Sequence, residues 1–199
     1  MPDMHVIKKS SSGFQSLSLD AMLLDKRMVF LCDAITSASA DLVVKQLLYL
    51  EILDNREPIK LVINSPGGEV NAGLYLYQQL QGMSRDIPIQ LFCTETAASM
   101  AAIILAGGKH GRYILKNGRI MIHEPLISPS SGGVTGSASQ IARTAESILE
   151  TKRHLNELLA TDTKRNVEEI EKLVTDGDHW FTAKEAVAFG ICDDIVDRL

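Results

Sequence analysis

Apolar and polar positions along this chain switch repeatedly between a two-residue and a 3.6-residue period. The apolar runs Met28 to Cys32 (MVFLC) and Ile59 to Asn64 (IKLVIN) read as strands, and between them DLVVKQLLYLEIL carries an apolar stripe through Leu42, Val43, Leu47, Leu48 and Leu50, as a helix would. Ser65-Pro66-Gly67-Gly68 stops the second strand, after which VNAGLYLYQQL resumes helical spacing. A third strand, Ile87 to Cys93, precedes the small-residue run TAASMAA, whose helix extends to Gly107-Gly108. RYILKNGRIMIHEP reads as a pair of strands, with Lys116-Asn117-Gly118 supplying hairpin-turn chemistry. Beyond the loop SPSSGGVTG lies the longest helical pattern, Ala138 to Ala160. It is followed by the helix NVEEIEKLV, a polar loop TDGDHW, the helix AKEAVAFG and a last strand in ICDDIV. Residues 1 to about 16 are polar around Ser10-Ser11-Ser12-Gly13 and predict a flexible arm, frayed or ordered only by a neighbour. Strands and helices alternate throughout with no long linker, which predicts one α/β domain over residues 1–199.

Composition agrees with a single buried core and removes several classes of function. The chain has 199 residues, 45% of them hydrophobic and 23% charged, with a formal net charge of −5 and no dense Lys/Arg cluster. A nucleic acid or an acidic membrane surface is therefore not an expected partner. Cys32, Cys93 and Cys192 are odd in number and widely spaced, a pattern that predicts neither a disulfide framework nor a metal site and fits a reducing compartment. No apolar run approaches the ~20 residues of a membrane span. The expectation is a soluble, cytoplasmic protein.

Three places carry chemistry that core packing alone does not require. The glycines of Ser65-Pro66-Gly67-Gly68 let backbone N–H groups approach a ligand, although the same four residues also make an ordinary turn. Ser99 stands where a strand hands over to an apolar helix, with the Met100 N–H beside it as a possible oxyanion donor; serines so placed cap helices more often than they react. His123 closes the strand RIMIH, where Met121 and His123 share one face and Ile120 and Ile122 the other; a lone histidine there is more often structural. Taken together, they supply a nucleophile, a base and an oxyanion hole on three separate segments.

The segments NSPGG, AASMAA and IMIHEP resemble the three signatures of the proteolytic subunit of the Clp peptidase, ClpP, where they read NSPGG, AASM and MIHQP. The similarity runs from HVIKKSSSG through LLDKRMVFL, KQLLYLE and GGVTGSAS to AKEAVAFGICDDIV, nearly the whole chain. The resemblance implies a ClpP/crotonase-like spiral of strand-strand-helix units with a protruding helix-strand handle at residues 124 to about 158. It also implies seven-membered rings stacked in pairs as a tetradecamer enclosing a chamber. By the same resemblance Ser99 attacks the peptide carbonyl, His123 moves the proton, and Gly68 and Met100 offer N–H groups to the oxyanion. Unfolded polypeptide substrate pairs with the chain after Gly68 and with Pro125, Leu126 and Ile127. An AAA+ ATPase partner unfolds and feeds the substrate; ATP is that partner's, since this chain lacks a phosphate-binding GxxxxGK[ST] loop and implies no cofactor of its own.

The sequence departs from the family at several positions. Relatives place the third triad residue, an aspartate, in a run like DTDRDNF, whereas LVTDGDHWF here is one residue longer and aligns Leu173 or Val174 with it. Asp176, beside the flexible Gly177, is the candidate to orient His123. Glu95 stands where relatives have glycine. In the expected edge strand, aromatic residues that help hold the ATPase's docking loops are replaced by Lys60 and Val62, which weakens the expectation of docking. Gln140 and Ala142 stand where relatives carry acidic handle residues. These departures resemble a second, divergent Clp subunit that works best, or only, in a mixed barrel. The competing readings are a weakly active or inactive structural or regulatory subunit and a crotonase-type acyl-CoA enzyme. The Ser99 and His123 pair speaks against the last.

Overall fold

The computed structural model describes residues 4–10, 13–54, 56–126 and 135–199. The N-terminal segment expected to fray is a hairpin of its own, with β1 (His5–Ser10) and β2 (Gly13–Ser18) antiparallel from His5 opposite Ser18 to Ser10 opposite Gly13. It leads into a short helix, α1 (Leu19–Asp25), that the spacing did not announce: seven residues, none of them buried, leave no stripe to read.

The body is built from strands that add to one sheet as the chain proceeds. β3 (Met28–Cys32), β4 (Ile59–Ser65) and β5 (Ile89–Ala98) pair in parallel, joined by α2 (Ser37–Leu53) and α3 (Val70–Met83). Such connections explain the composition of β4, where five of seven residues are buried: a parallel strand covered by helices is apolar on both faces. β4 therefore lies inside the sheet, not at its edge as expected, because β3 takes the outer place. Lys60 on β4 stands over the Phe92 ring, and Val62 is buried. α4 (Met100–Ala106) has all seven residues buried, as befits a helix apolar on every side.

The expected hairpin does not form. β6 (Arg112–Leu115) and β7 (Arg119–Ile122) each pair in parallel with a different half of β5: β6 with Leu91 to Cys93, β7 with Thr96 to Ala98. A tight two-residue hairpin needs positive φ in its turn, and neither Lys116, Asn117 nor Gly118 has it, so the chain turns once and continues in the same direction. β5 can serve two neighbours because it carries two extra residues relative to β4 between Cys93 and Ala97, opposite Ile63 and Ser65. There the Asn64 side chain stands in for the ladder, accepting from the Thr96 N–H at 3.2 Å and donating to Glu95 at 3.2 Å.

α5 (Ala138–Thr163) is the long predicted helix. From Ala138 to Glu150 it is exposed except for the half-buried Ile148, and only from Leu155 onward does it enter the core, against α4 and α6 (Val167–Thr175). Gln140 closes a capping box with Ser137 at its start. TDGDHW, read as loop, contains the start of β8 (His179–Thr182), the one strand antiparallel to its partner in the seven-stranded sheet, beside β7. α7 (Ala183–Phe189) and β9 (Asp194–Val196) finish the chain, with β9 parallel to β6. Among the described residues no helix is long and apolar enough to cross a membrane.

Arg112 locks the C-terminal elements together. Its guanidinium bridges Asp193 and donates to the carbonyls of Ala106, Asp162 and Gly190, the ends of three helices. That hydrogen bond, with burial opposing it, holds the Asp193 carboxyl below its ordinary value. The bridge's contribution is therefore complete at neutral pH and is lost as acid takes the pH below the ordinary carboxylate range. Arg112→Ala strands three carbonyls and a carboxylate, and is expected to cost about 3 kcal/mol of unfolding free energy. Urea denaturation of the variant checks this, and a change under about 0.5 kcal/mol, the scale of an ordinary surface substitution, contradicts it.

Candidate active site

The site lies where β5 gives way to α4. Ser99 has φ 55° and ψ −125°, a backbone conformation that non-glycine residues rarely adopt and that costs on the order of 1–3 kcal/mol. It is pinned by a hydrogen bond from its N–H to the Met121 carbonyl at 2.8 Å, and by the buried α4 that follows. The strained turn pushes the side chain out of the sheet. Ser99 occupies the N-cap position, yet its hydroxyl makes no capping hydrogen bond. Instead Oγ lies 2.8 Å from His123 Nε2. The alternative of a serine spent on capping is thereby removed.

His123 arrives there through register. Ala98 of β5 faces Met121 of β7, so the next residues of both strands emerge together at the same sheet end. Ile120 and Ile122 sit in the core and fix the strand's rotation, which turns the imidazole toward Ser99. With the Ser99 hydroxyl donating to Nε2, the ring proton belongs on Nδ1.

The glycine loop supplies the third part. Ser65 Oγ donates to the Asp33 carbonyl and accepts from the Gly67 N–H; the Gly67 carbonyl accepts from Ile35, and the Ile35 carbonyl accepts from Glu69. Clamped on both sides, the loop leaves the Gly68 N–H without a partner, and the Met100 N–H at the start of α4 has none either among the described residues. Gly67 has φ +89°, and a Cβ there would stand 2.6 Å from the Ala98 carbonyl oxygen and 2.7 Å from Ser99 Cβ. No other residue type fits without displacing the backbone around Ser99.

A cleft of about 200 Å³ joins these groups, lined by Gly68, Met100, Ser99, His123, Pro125 and Leu126 among others. Leu126 is 73% exposed and open to an arriving chain. Ile127 lies outside the described residues. A roomier cavity of about 650 Å³, between α1 and the end of α2, shares no lining residue with this cleft.

Asp176 is not brought to the histidine. It caps the C-terminus of α6 as an exposed residue, and Gly177, at φ +108°, turns the chain away after it. The α6 residue that lines a small cavity with His123 is Val174, buried and apolar, which brings no carboxylate to that space. His123 Nδ1 is buried and has no hydrogen-bond partner among the described residues. Glu95 is exposed and held by Asn64, away from the imidazole. No cluster of metal ligands occurs among the described residues. Sequence reasoning passed over Asn64, which steadies the bulge, and Asn156, a buried amide on α5 that lines the small cavity. The signal for Asn156 was available: it interrupts the apolar stripe between Leu155 and Leu159.

The family model for the Clp protease matches residues 11–199, all but the first ten residues of the chain.

Two substitutions probe this geometry. Ser99→Gly relaxes the strained turn and is expected to unfold at higher denaturant than Ser99→Ala, by about 1 kcal/mol; equal midpoints contradict a strained Ser99. Gly67→Ala is expected to leave a folded protein destabilised by about 1–3 kcal/mol, with Ser99 reactivity toward a fluorophosphonate reduced by about 10²-fold. Unchanged reactivity contradicts the contact between the two turns.

Proposed function

This chain belongs to the Clp protease family, and on that premise we propose that it is a serine endopeptidase in which Ser99 is the nucleophile and His123 the general base. The observation that carries the reading is the 2.8 Å contact between Ser99 Oγ and His123 Nε2 at a strained strand-to-helix turn. His123 takes the Ser99 proton as Oγ attacks the substrate carbonyl, then passes it to the leaving amine, and a water activated by the same imidazole releases the acyl group. The Gly68 and Met100 N–H groups receive the oxyanion, a role worth about 10²–10³ in rate for a single such donor. A chain lying extended past Pro125 and Leu126 is held mainly through its backbone, which suits unfolded polypeptide of many sequences.

Assembly belongs to the same proposal. The first half of α5 is exposed and has no neighbour among the described residues, and with Ile141 and Leu149 uncovered it fits a ring-to-ring contact in a stacked double ring. An AAA+ ATPase delivers substrate and uses the ATP, this chain requiring no cofactor; the protein then works in the cytoplasm, with no nucleic acid or membrane partner. One observation favours a second reading, a structural or regulatory subunit in a mixed barrel: Val174, not a carboxylate, flanks a His123 whose Nδ1 is unpaired.

A fluorophosphonate probe separates the two readings, applied to the protein alone and mixed with a typical Clp proteolytic subunit. Labelling of this chain that disappears in Ser99→Ala, and falls by about 10³-fold in His123→Gln, is expected in at least one of the two settings. Absence of Ser99 labelling in both settings sinks the peptidase proposal and leaves the structural one.

A further inference from the structure

His123 needs something to hold its far nitrogen. A base whose Nδ1–H is not held is fixed neither in ring orientation nor in tautomer, and an unpaired buried donor costs about 1–3 kcal/mol. No carboxylate among the described residues bonds to it: Glu124, next in the chain, pairs with Lys152, Asp176 is exposed at the end of α6, and the α6 residue lining the cavity with His123 is Val174. Behind Ser99 and His123 is a cavity of about 20 Å³ whose other walls are apolar, except for Asn156. Asn156 is 6% exposed, and its side chain has no hydrogen-bond partner among the described residues. One buried nitrogen without a partner among the described residues, His123 Nδ1, and the amide-bearing Asn156, which also lines a groove on the outer side of α5, thus border one small space.

That space has a definite capacity. A single water needs roughly 10–15 Å³ on the same measure and two to four polar partners, and the cavity provides both the room and the two partners. α5 is held close by Lys152, one turn before Asn156, which pairs with Glu124 at 2.8 Å and donates to Thr175 at 3.0 Å. The residue next to His123, the end of α6 and the Asn156 turn of α5 are thereby tied together.

We propose that Asn156 is the positioning residue of His123: its side-chain amide oxygen, through one water in this cavity, accepts the Nδ1 proton and so leaves Nε2 free to accept from Ser99. The inference rests on the peptidase reading of Ser99 and His123. A neutral amide fixes the tautomer but, unlike a carboxylate, does not stabilise the imidazolium that forms during attack, so orientation is retained and charge stabilisation is not.

A crystal structure of the wild-type oligomer at a resolution that shows ordered water is decisive and independent of activity. It is expected to show one water within hydrogen-bond distance of both His123 Nδ1 and the Asn156 side chain. A dry cavity, or Nδ1 bonded to Asp176 or any other group, overturns the proposal. Fluorophosphonate labelling rates then test its consequence. Asn156→Leu, folded and assembled as the parent, is expected to slow Ser99 labelling on the order of 10²-fold, with Asn156→Asp labelling at least as fast as wild type and Asp176→Ala unchanged. Asn156→Ser serves if the leucine variant does not assemble. Wild-type rates in Asn156→Leu or Asn156→Ser, or a loss in Asp176→Ala alone, refute it. Failure of wild-type Ser99 to label would refute the peptidase reading instead, and the crystal structure would still decide what holds Nδ1.

Discussion

The pairing of β7 with the second half of β5 is the constraint on which the site depends. Three residue pairs, from Thr96 with Arg119 to Ala98 with Met121, bring two segments more than twenty positions apart to the same sheet end. A slip of one residue would turn Ile120 and Ile122 out of the core and the imidazole away from Ser99, so the hydrophobic burial of those two isoleucines enforces the register. The pairing is possible only because the bulge between Cys93 and Ala97, steadied by Asn64, frees the end of β5 from the neighbour that its beginning has in β6. Core packing thus sets the distance between Ser99 and His123.

The same logic explains how a strained serine persists. α4 buries all seven of its residues and the Ser99 N–H is tied to Met121, so the turn between β5 and α4 has no room to relax. The glycine loop presses on it from the other side, with Gly67 fitting where a methyl group would strike Ser99. The Ser99 hydroxyl and the N–H groups of the glycine loop are therefore two surfaces of one packed contact. Reactivity at such a site is a property of the fold around it more than of any single side chain.

Much of this was legible in the sequence. Long apolar runs and sharp punctuation gave β3 to β5 and the helices between them, and the strand-to-helix hand-off at Ser99 and the rotation of His123 were readable from period alone. What failed did so where local chemistry is ambiguous. Lys116-Asn117-Gly118 has hairpin residues, but the turn's φ values and the competition from β5 decide the pairing, and neither is local. HWFT is too short to declare itself a strand without β7 beside it. Asp176 was chosen for being a carboxylate near the right place in sequence, yet the helix end and the glycine after it set where that carboxylate goes. Asn156, twenty residues earlier and on another helix, showed in the sequence only as a break in an apolar stripe; that it lines a cavity with His123 follows from the packing of α5.

The match to the Clp protease family gives the class to which the chain belongs, and the surroundings of His123 are particular to this member's sequence. Val174 and Asn156 line one small cavity with the imidazole, and Lys152, paired with Glu124 and donating to Thr175, ties α5 and α6 to the strand end. The central claim, that folding makes His123 the partner of Ser99, is tested most directly by a peptidyl chloromethyl ketone followed by peptide mapping in a mass spectrometer. The chain's five histidines, His5, His110, His123, His154 and His179, compete for the reagent, so the comparison is internal. Alkylation is expected at His123 far ahead of the other four, and is lost when Ser99 is replaced by alanine. Alkylation of His123 no faster than that of the other histidines, or equally fast without the serine hydroxyl, would contradict the claim.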